Sequence, residues 1–118
     1  MTDTRGRLDK EAARELELFM NNDGQIEERR ARPIRENLRK KIAAGKFDAV
    51  RSIDLWMYAV EDAAKKYHKE MGDRGTRWND MFSRPTRRVV AYRAALQFME
   101  DEGLPVSKSD WARADLED

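Results

Sequence analysis

Apolar residues recur at every third or fourth position along most of this 118-residue chain, and this spacing favours helices throughout. One face of an α-helix returns after 3.6 residues, whereas a half-buried strand alternates at every second residue. The chain contains no strand-like alternation and no internal repeat. The pattern therefore predicts an all-α fold: a compact bundle of four main helices with a short C-terminal helix.

Turn and capping residues set the bounds of the first two helices. The first is predicted to start at Leu8 or Asp9 and to stop at the turn Asn21–Gly24, because Gly or Asn past an apolar stripe is a common helix end. The second covers residues 25–44. Pro33 lies inside it, so either this helix is kinked or a new helix starts near the proline.

The third helix has the most regular apolar stripe. Asp48 is predicted to cap it, and the stripe continues to Met71. Its other side is charged, and the spacing predicts two i,i+4 ion pairs there, Glu61–Lys65 and Asp62–Lys66. Residues 72–80 contain two glycines and are predicted to form a loop.

The fourth helix is predicted from Ser83 to about Glu102 and is apolar around most of its circumference. Such a helix is usually central in a bundle. Ser107 or Ser109 is predicted to cap the last short helix. The tail that contains it either docks through Trp111 or is mobile.

Charge is distributed unevenly although the whole chain has a formal net charge of +1. Residues 1–26 are net −2, residues 27–99 are net +8 and residues 100–118 are net −5. We divide the chain into a helical bundle domain, 1–103, and an acidic C-terminal tail, 104–118. The basic middle suits an anionic partner, or the acidic tail folds back and neutralises it.

Arginines dominate the basic middle. Arg32, Arg35 and Arg39 share one stripe of the second helix, and a guanidinium matches phosphate or carboxylate oxygens in pairs. The residues predicted to bind a partner or a phosphate are Arg29, Arg32, Arg35, Arg39, Lys40, Arg84, Arg87 and Arg88. The last three start the fourth helix, where the dipole disfavours cations, and this indicates an anionic neighbour. The alternative is a solvated face paired internally with Glu28, Glu36 and the acidic tail.

Three aromatic residues, Tyr58, Trp78 and Phe82, are candidates for an apolar interface, because aromatic side chains are favoured at interface centres. The alternative is that they close one end of the bundle.

Residues able to do covalent chemistry are scarce. The chain has no Cys, and its single His68 stands between lysines on the charged side of the third helix, which favours a surface histidine. Adjacent carboxylates such as Glu27 and Glu28 point about 100° apart on a helix and would not converge on one atom. We expect no enzymatic activity, no metal and no cofactor.

No apolar run approaches the roughly 18 residues that span a bilayer, and the first seven residues resemble no signal peptide. The absence of Cys fits a reducing compartment. We expect a cytoplasmic protein that does not enter membranes.

Four segments resemble a group of uncharacterised small helical proteins of bacteriophages and mobile elements. They are ELELFMNNDG (Glu15–Gly24), RPIRENLRKKIAAGKFD (Arg32–Asp48), WMYAVEDAAKKY (Trp56–Tyr67) and W-x-x-MF (Trp78–Phe82). The likeness spans roughly residues 15–99 and consists of turns, caps and packing aromatics, so it implies no catalytic residue. It implies an accessory role, because small phage proteins often bind a host macromolecule.

Three functions follow as expectations. The first is an accessory protein that binds a host protein or protein complex through its charged surface and in this way inhibits, for example, a bacterial defence system. The second is a small nucleic-acid-binding protein that uses the same cations. The third is a self-assembling or virion-associated protein, and a homodimer is compatible with each.

Overall fold

The computed structural model describes residues 7–116, and every regular element within them is helical. The helices are α1 (Lys10–Asn22), α2 (Gly24–Ile26), α3 (Arg32–Ala43), α4 (Ala49–Met71), α5 (Trp78–Met81), α6 (Arg84–Asp101) and α7 (Lys108–Arg113). A π-helical turn, Glu27–Ala31, joins α2 to α3, and a 3-10 turn, Gly72–Arg74, follows α4. The four long helices, α1, α3, α4 and α6, confirm the predicted all-α bundle. No described helix has the length and apolarity needed to cross a membrane.

The core lies mainly between α4 and α6, and α1 packs on both of them. Phe47, just before α4, contacts Phe98 near the end of α6, whereas Glu61 of α4 binds Arg87 near the start of α6, so the two helices are antiparallel. Small fully buried residues such as Ala63 keep the helices close together. The prediction that the fourth helix is central is confirmed, because α6 contacts α1, α4, α5 and α7.

The turn after α1 was predicted in the right place, but its glycine has another role. Gly24 does not end α1 in a left-handed conformation; it is the first residue of α2. The Asp23 carboxylate accepts the backbone N–H groups of Gln25 and Ile26, at 3.1 and 2.9 Å, and so caps the new helix at once.

Pro33 is accommodated by a wide turn in a continuous helical run. The N–H of Arg32 donates to the carbonyl of Glu27, five residues back, so the π turn contains one residue more than an α-helical turn. Pro33 then occupies the first turn of α3, where its missing N–H matters least. The extra residue brings Glu27 and Arg35, eight apart in sequence, to one face of the helix.

The described part of the C-terminal tail docks on the bundle. Ala114 and Leu116 are 0% and 3% exposed, whereas Trp111 is only partly buried. The carbonyl of Ala114 accepts a hydrogen bond from Arg93 at 2.9 Å, and that of Leu116 accepts one from Arg14. Of the two predicted caps, the structure selects Ser107, which forms a capping box with the third residue of α7.

Candidate partner-binding surface

The three arginines predicted to form a stripe lie on α3, but each is bound to a different carboxylate. The pairs are Arg32–Glu28 with 3.2 Å between Nη1 and Oε1, Arg35–Glu27, and Arg39–Glu102 with 3.2 Å between Nε and Oε1. Glu102 belongs to the acidic block of residues 100–118, so that block does neutralise part of the basic middle. The predicted stripe is therefore largely paired within the molecule, although Glu36 is not one of its partners.

The Arg35–Glu27 pair is the most buried of the three at its cationic end, with 27% of the Arg35 side chain exposed. Both guanidinium Nη atoms donate to Glu27, and the Nη1–Oε2 distance is 3.2 Å. These hydrogen bonds from Arg35 hold the pKa of the Glu27 carboxyl below its ordinary value. This arginine is fixed in the fold and has little freedom to bind a partner.

The second predicted group, at the start of α6, is divided between one bound and two exposed arginines. Arg87 donates from Nη1 to Glu61 at 2.6 Å and from Nε to the carbonyl of Phe82 at 2.9 Å. Its guanidinium also lies 4.4 Å from the centre of the Phe82 ring. Glu61 is thus the anionic neighbour of Arg87, whereas Arg84 and Arg88 are exposed.

The two ion pairs predicted within the third helix are wrong. The two carboxylates of those predicted pairs, and Lys66, bind residues of other elements instead: the pairs are Glu61–Arg87, Asp62–Arg30 and Lys66–Asp23. Helix packing places these partners at the edge of the core, where the side chains are partly desolvated and opposite charges attract more strongly than on a solvated face.

The three candidate aromatic residues do not form one surface. Trp78 and Phe82 stack with ring centres 4.2 Å apart and are partly buried beside α4, whereas Tyr58 is 61% exposed on α4. The prediction of a surface histidine is also wrong, because the half-buried His68 packs edge-on against Trp78 at 5.2 Å. The segment between α4 and α5 covers this end of α4. Within it, the backbone N–H of Thr76 donates to the Tyr67 hydroxyl.

Residues 7–116 contain no group of three or more His, Cys, Asp or Glu side chains that could hold a metal ion.

Exposed cations remain at opposite ends of α6. Among the predicted residues, Arg29, Lys40, Arg84 and Arg88 form no ion pair with any residue that the structure describes. Arg84 and Arg88 lie at the start of α6. Lys40 lies near the end of α3, and the Arg39–Glu102 ion pair holds that end of α3 beside the C-terminal end of α6. The 18 residues of α6 separate these ends by about 27 Å. One small ligand cannot contact both groups.

A group of exposed cations lies where α3 turns into α4. Lys41, Lys46 and Arg51 surround a groove of about 130 Å³ that is also lined by Leu38 and Leu55. Asp48 and Ser52 complete its lining. We call this feature, with these seven residues, the corner groove.

Local backbone geometry positions the corner groove. Gly45 adopts a left-handed φ of +69°, which closes α3 with two hydrogen bonds typical of a Schellman turn. The backbone N–H of Gly45 donates to the carbonyl oxygen of Ile42 at 3.0 Å, and the backbone N–H of Lys46 donates to the carbonyl oxygen of Lys41 at 2.8 Å. The second hydrogen bond brings the two lysines to the same end of the groove.

The corner groove contains three cations and one carboxylate. That carboxylate, Asp48, is occupied as the cap of α4, accepting the N–H groups of Val50 and Arg51 at 2.9 and 3.2 Å. The Arg51 Nε lies 4.0 Å from Asp48 and its side chain is 84% exposed. The groove is therefore a positively charged recess at the positive end of a long helix dipole.

An exposed apolar side chain lies next to Arg51 in the sequence, outside the lining of the groove. Val50 is 66% exposed beside Arg51, in a chain whose other valines in α4 and α6 are buried. The sequence-based prediction selected neither Lys41 nor Lys46 as a partner-binding residue, and it missed Arg51 and Val50 as well. The available signal was Gly45, which marks a turn that joins a lysine-rich helix end to the next helix.

No family model, curated protein or solved structure matches the chain. The chemistry of the surface just described is therefore the basis for inferring a function.

Proposed function

We propose that this protein is a non-enzymatic binding protein that holds an acidic segment of a partner protein in the corner groove. One observation supports this most: Lys41, Lys46 and Arg51 converge on one recess, and neither lysine forms an ion pair within residues 7–116. Folding uses most of the nearby arginines in internal pairs. The three groove cations are left facing solvent.

The shape of the groove favours a protein partner over nucleic acid. The half-buried Leu55 gives the groove an apolar wall, which suits a carboxylate side chain followed by an aliphatic one. A phosphate backbone would need cations along a track, with affinity falling by about one power of salt concentration per contact. Lys40, next to Lys41 in the sequence, is also exposed, but Arg84 and Arg88 are at the other end of α6.

The proposal also states which kind of protein supplies the acidic segment. The likeness of residues 15–99 to small phage and mobile-element proteins supports a partner in a host macromolecular complex, and inhibition of a bacterial defence system is one such role. Binding would be stoichiometric, since the proposed contact consists of ion pairs and apolar packing.

Charge reversal at two matched places tests the proposal. The groove variant carries Lys41→Glu, Lys46→Glu and Arg51→Glu, and the control carries Arg29→Glu, Arg84→Glu and Arg88→Glu, so the net charge changes equally. The probes are a fluorescent peptide of repeating Asp-Leu and a duplex DNA of the same total charge, titrated by anisotropy at low and moderate salt. Circular dichroism checks that both variants stay folded.

We expect the groove variant to bind the peptide at least about tenfold more weakly, from three exposed ion pairs worth about 0.5 kcal/mol each. The control should stay within about twofold of wild type. Equal losses in both variants would show that total charge decides binding, and tighter binding of DNA than of peptide would favour the nucleic-acid function. Either result refutes the proposal.

A further inference from the structure

Four large hydrophobic side chains are exposed within residues 7–116, and they lie in two parts of the fold. They are Leu8 (41% exposed), Leu18 (59%), Val50 (66%) and Tyr58 (61%). Leu8 lies just before α1 and Leu18 within it, whereas Val50 and Tyr58 both belong to α4. Exposed apolar side chains that share a surface with charged ones are typical of sites where another protein docks.

The outer side of α1 is acidic. Glu11, Glu15 and Leu18 are at positions i, i+4 and i+7, so they share one side of the helix, and all three are exposed. Neither glutamate forms an ion pair with a residue that the structure describes. The neighbouring Arg14 donates to the carbonyl of Leu116 in the C-terminal tail. We call Glu11, Glu15 and Leu18 the acidic face.

A recess beside Leu18 gives the acidic face room for an apolar side chain. The recess has a volume of about 260 Å³, and Leu18, Phe19 and Met71 contribute to its lining. The Phe19 ring packs edge-on against the Tyr67 ring, with 5.4 Å between their centres, which fixes one wall. Glu15 also lines the recess, so a carboxylate and an apolar surface adjoin there.

The corner between α3 and α4 presents a surface of the opposite charge. Arg51, Asp54 and Tyr58 are at positions i, i+3 and i+7 on one side of α4. Lys41 and Lys46 lie with Arg51 around the corner groove. Asp54 lies between Arg51 and Tyr58, so the positive charge of this surface is confined to its corner end. We call Lys41, Lys46, Arg51 and Tyr58 the basic face.

The two faces match in spacing as well as in charge. Glu11 and Leu18 are seven residues apart on α1. Arg51 and Tyr58 are also seven residues apart on α4, and seven residues span about 10.5 Å of helix. An ion pair and an apolar contact therefore form together when α1 of one copy lies along α4 of another. Within one copy the faces do not meet, since Leu18 and Tyr58 both stay mostly exposed.

We propose that the basic face of one copy binds the acidic face of a second copy, so that the protein associates reversibly with itself. The contact is head-to-tail, because it joins two different surfaces. This inference rests on the proposed function, since the acidic face offers the corner groove a carboxylate beside an aliphatic side chain. A second copy and the partner's acidic segment therefore compete for the same cations, and self-association regulates access to the groove.

Sedimentation equilibrium at low salt, from about 10 µM to about 1 mM, covers the affinities expected of a small, transient interface. The acidic-face variant carries Glu11→Lys and Glu15→Lys. Its control carries Glu36→Lys and Glu70→Lys, at two exposed carboxylates that form no ion pair within residues 7–116, so the net charge changes equally. The groove variant defined above reverses the charge of the basic face. Circular dichroism checks that each variant is folded.

Wild type and the Glu36/Glu70 control should show an average mass that rises with concentration. The acidic-face variant and the groove variant, each alone, should associate at least about tenfold more weakly. An equimolar mixture of these two variants should associate again, because unlike copies pair opposite charges whereas like copies repel. Tyr58→Ala should weaken the association of the wild-type faces by at least about fivefold, through loss of the aromatic contact.

A wild type that stays monomeric up to about 1 mM would overturn the inference, and so would a monomeric mixture of the two variants. The acidic-face variant keeps its groove, so it should bind the Asp-Leu peptide within about twofold of wild type at concentrations where both are monomeric. Peptide binding by a wild type that never associates would remove the self-association alone. Peptide binding that the groove variant retains would instead refute the proposed function.

Discussion

Replacing Asp23 by Ala should destabilise the protein more than any other change of a charged residue in the first two helices. This carboxylate makes two kinds of contact at once, and only 13% of its side chain is exposed. It caps α2 through the N–H groups of Gln25 and Ile26. It also accepts two hydrogen bonds from Lys66 of α4, with Nζ–O distances of 2.8 and 2.7 Å.

The expected cost follows from these two contributions. Loss of an N-cap costs about 1 kcal/mol. Loss of a charge-assisted contact at a partly buried site costs about 1–2 kcal/mol more. We expect Asp23→Ala to lower the free energy of unfolding by about 2–3 kcal/mol. With an unfolding entropy of about 2.1 cal/mol/K per residue, a chain of 118 residues would lose about 8–12 °C in Tm.

A double-mutant cycle separates the cap from the ion pair. Asp23→Asn keeps a good capping side chain and removes the charge, so it should cost about half as much as Asp23→Ala. Lys66→Met removes the ammonium and keeps most of the stem. Urea unfolding of both single variants and the double variant should give a coupling of about 1 kcal/mol. A cost below about 0.5 kcal/mol for Asp23→Ala would refute the reasoning.

The stabilisation that the Asp23 carboxylate provides depends on pH, and the direction of this dependence follows from the pKa of Asp23. The hydrogen bond from Lys66 and the backbone N–H of Ile26 lower the pKa of Asp23 below its ordinary value of 3.8. The folded state therefore binds fewer protons than the unfolded chain, and the stabilisation is present above pH 3.8 and is lost as pH falls through the folded pKa. The difference in stability between wild type and Asp23→Asn should shrink below about pH 3.8. A constant difference would contradict the assignment.

Two further substitutions test the turn and the tail by urea unfolding. Gly45→Ala forces an L side chain into a φ of +69° and should cost about 1–2 kcal/mol, whereas Gly24→Ala, in a helical position with no atom within 4 Å of the added Cβ, should be neutral or slightly stabilising. Equal effects would contradict the assigned turn. Leu116→Ala, at a residue 3% exposed, should cost about 2–3 kcal/mol, and an unchanged midpoint would show that the tail does not contribute to the core.

The helices were predictable because their signals are local. The side chain of Asp48 caps α4 and that of Ser83 caps α6, and in both cases the cap and the apolar stripe that follows lie in one continuous segment. The same locality explains the error at Gly24. A glycine after an apolar stripe predicts a helix end, but the preceding Asp23 can start a new helix immediately, and residue types alone do not separate these outcomes.

The ion pairs were not predictable because they depend on packing. Arg87 and Glu61 are 26 residues apart and meet only because α4 and α6 are antiparallel. Arg35 and Glu27 meet because the π turn adds one residue to the helical run, which an ideal helical wheel does not contain. The i,i+4 rule identifies partners on one solvated helix, and it fails where a second helix offers a better placed charge.

The choice between arginine and lysine explains why the predicted stripe and the corner groove differ. A guanidinium presents five donors in a rigid plane and is weakly hydrated, so it can be held at a helix interface by a carboxylate and a carbonyl together. Arg87 and Arg93 are held in this way. An ammonium is more strongly hydrated and stays exposed at lower cost, as Lys41 and Lys46 do. On α3, folding therefore engages the arginines of the predicted stripe and leaves Lys40 and Lys41 facing solvent.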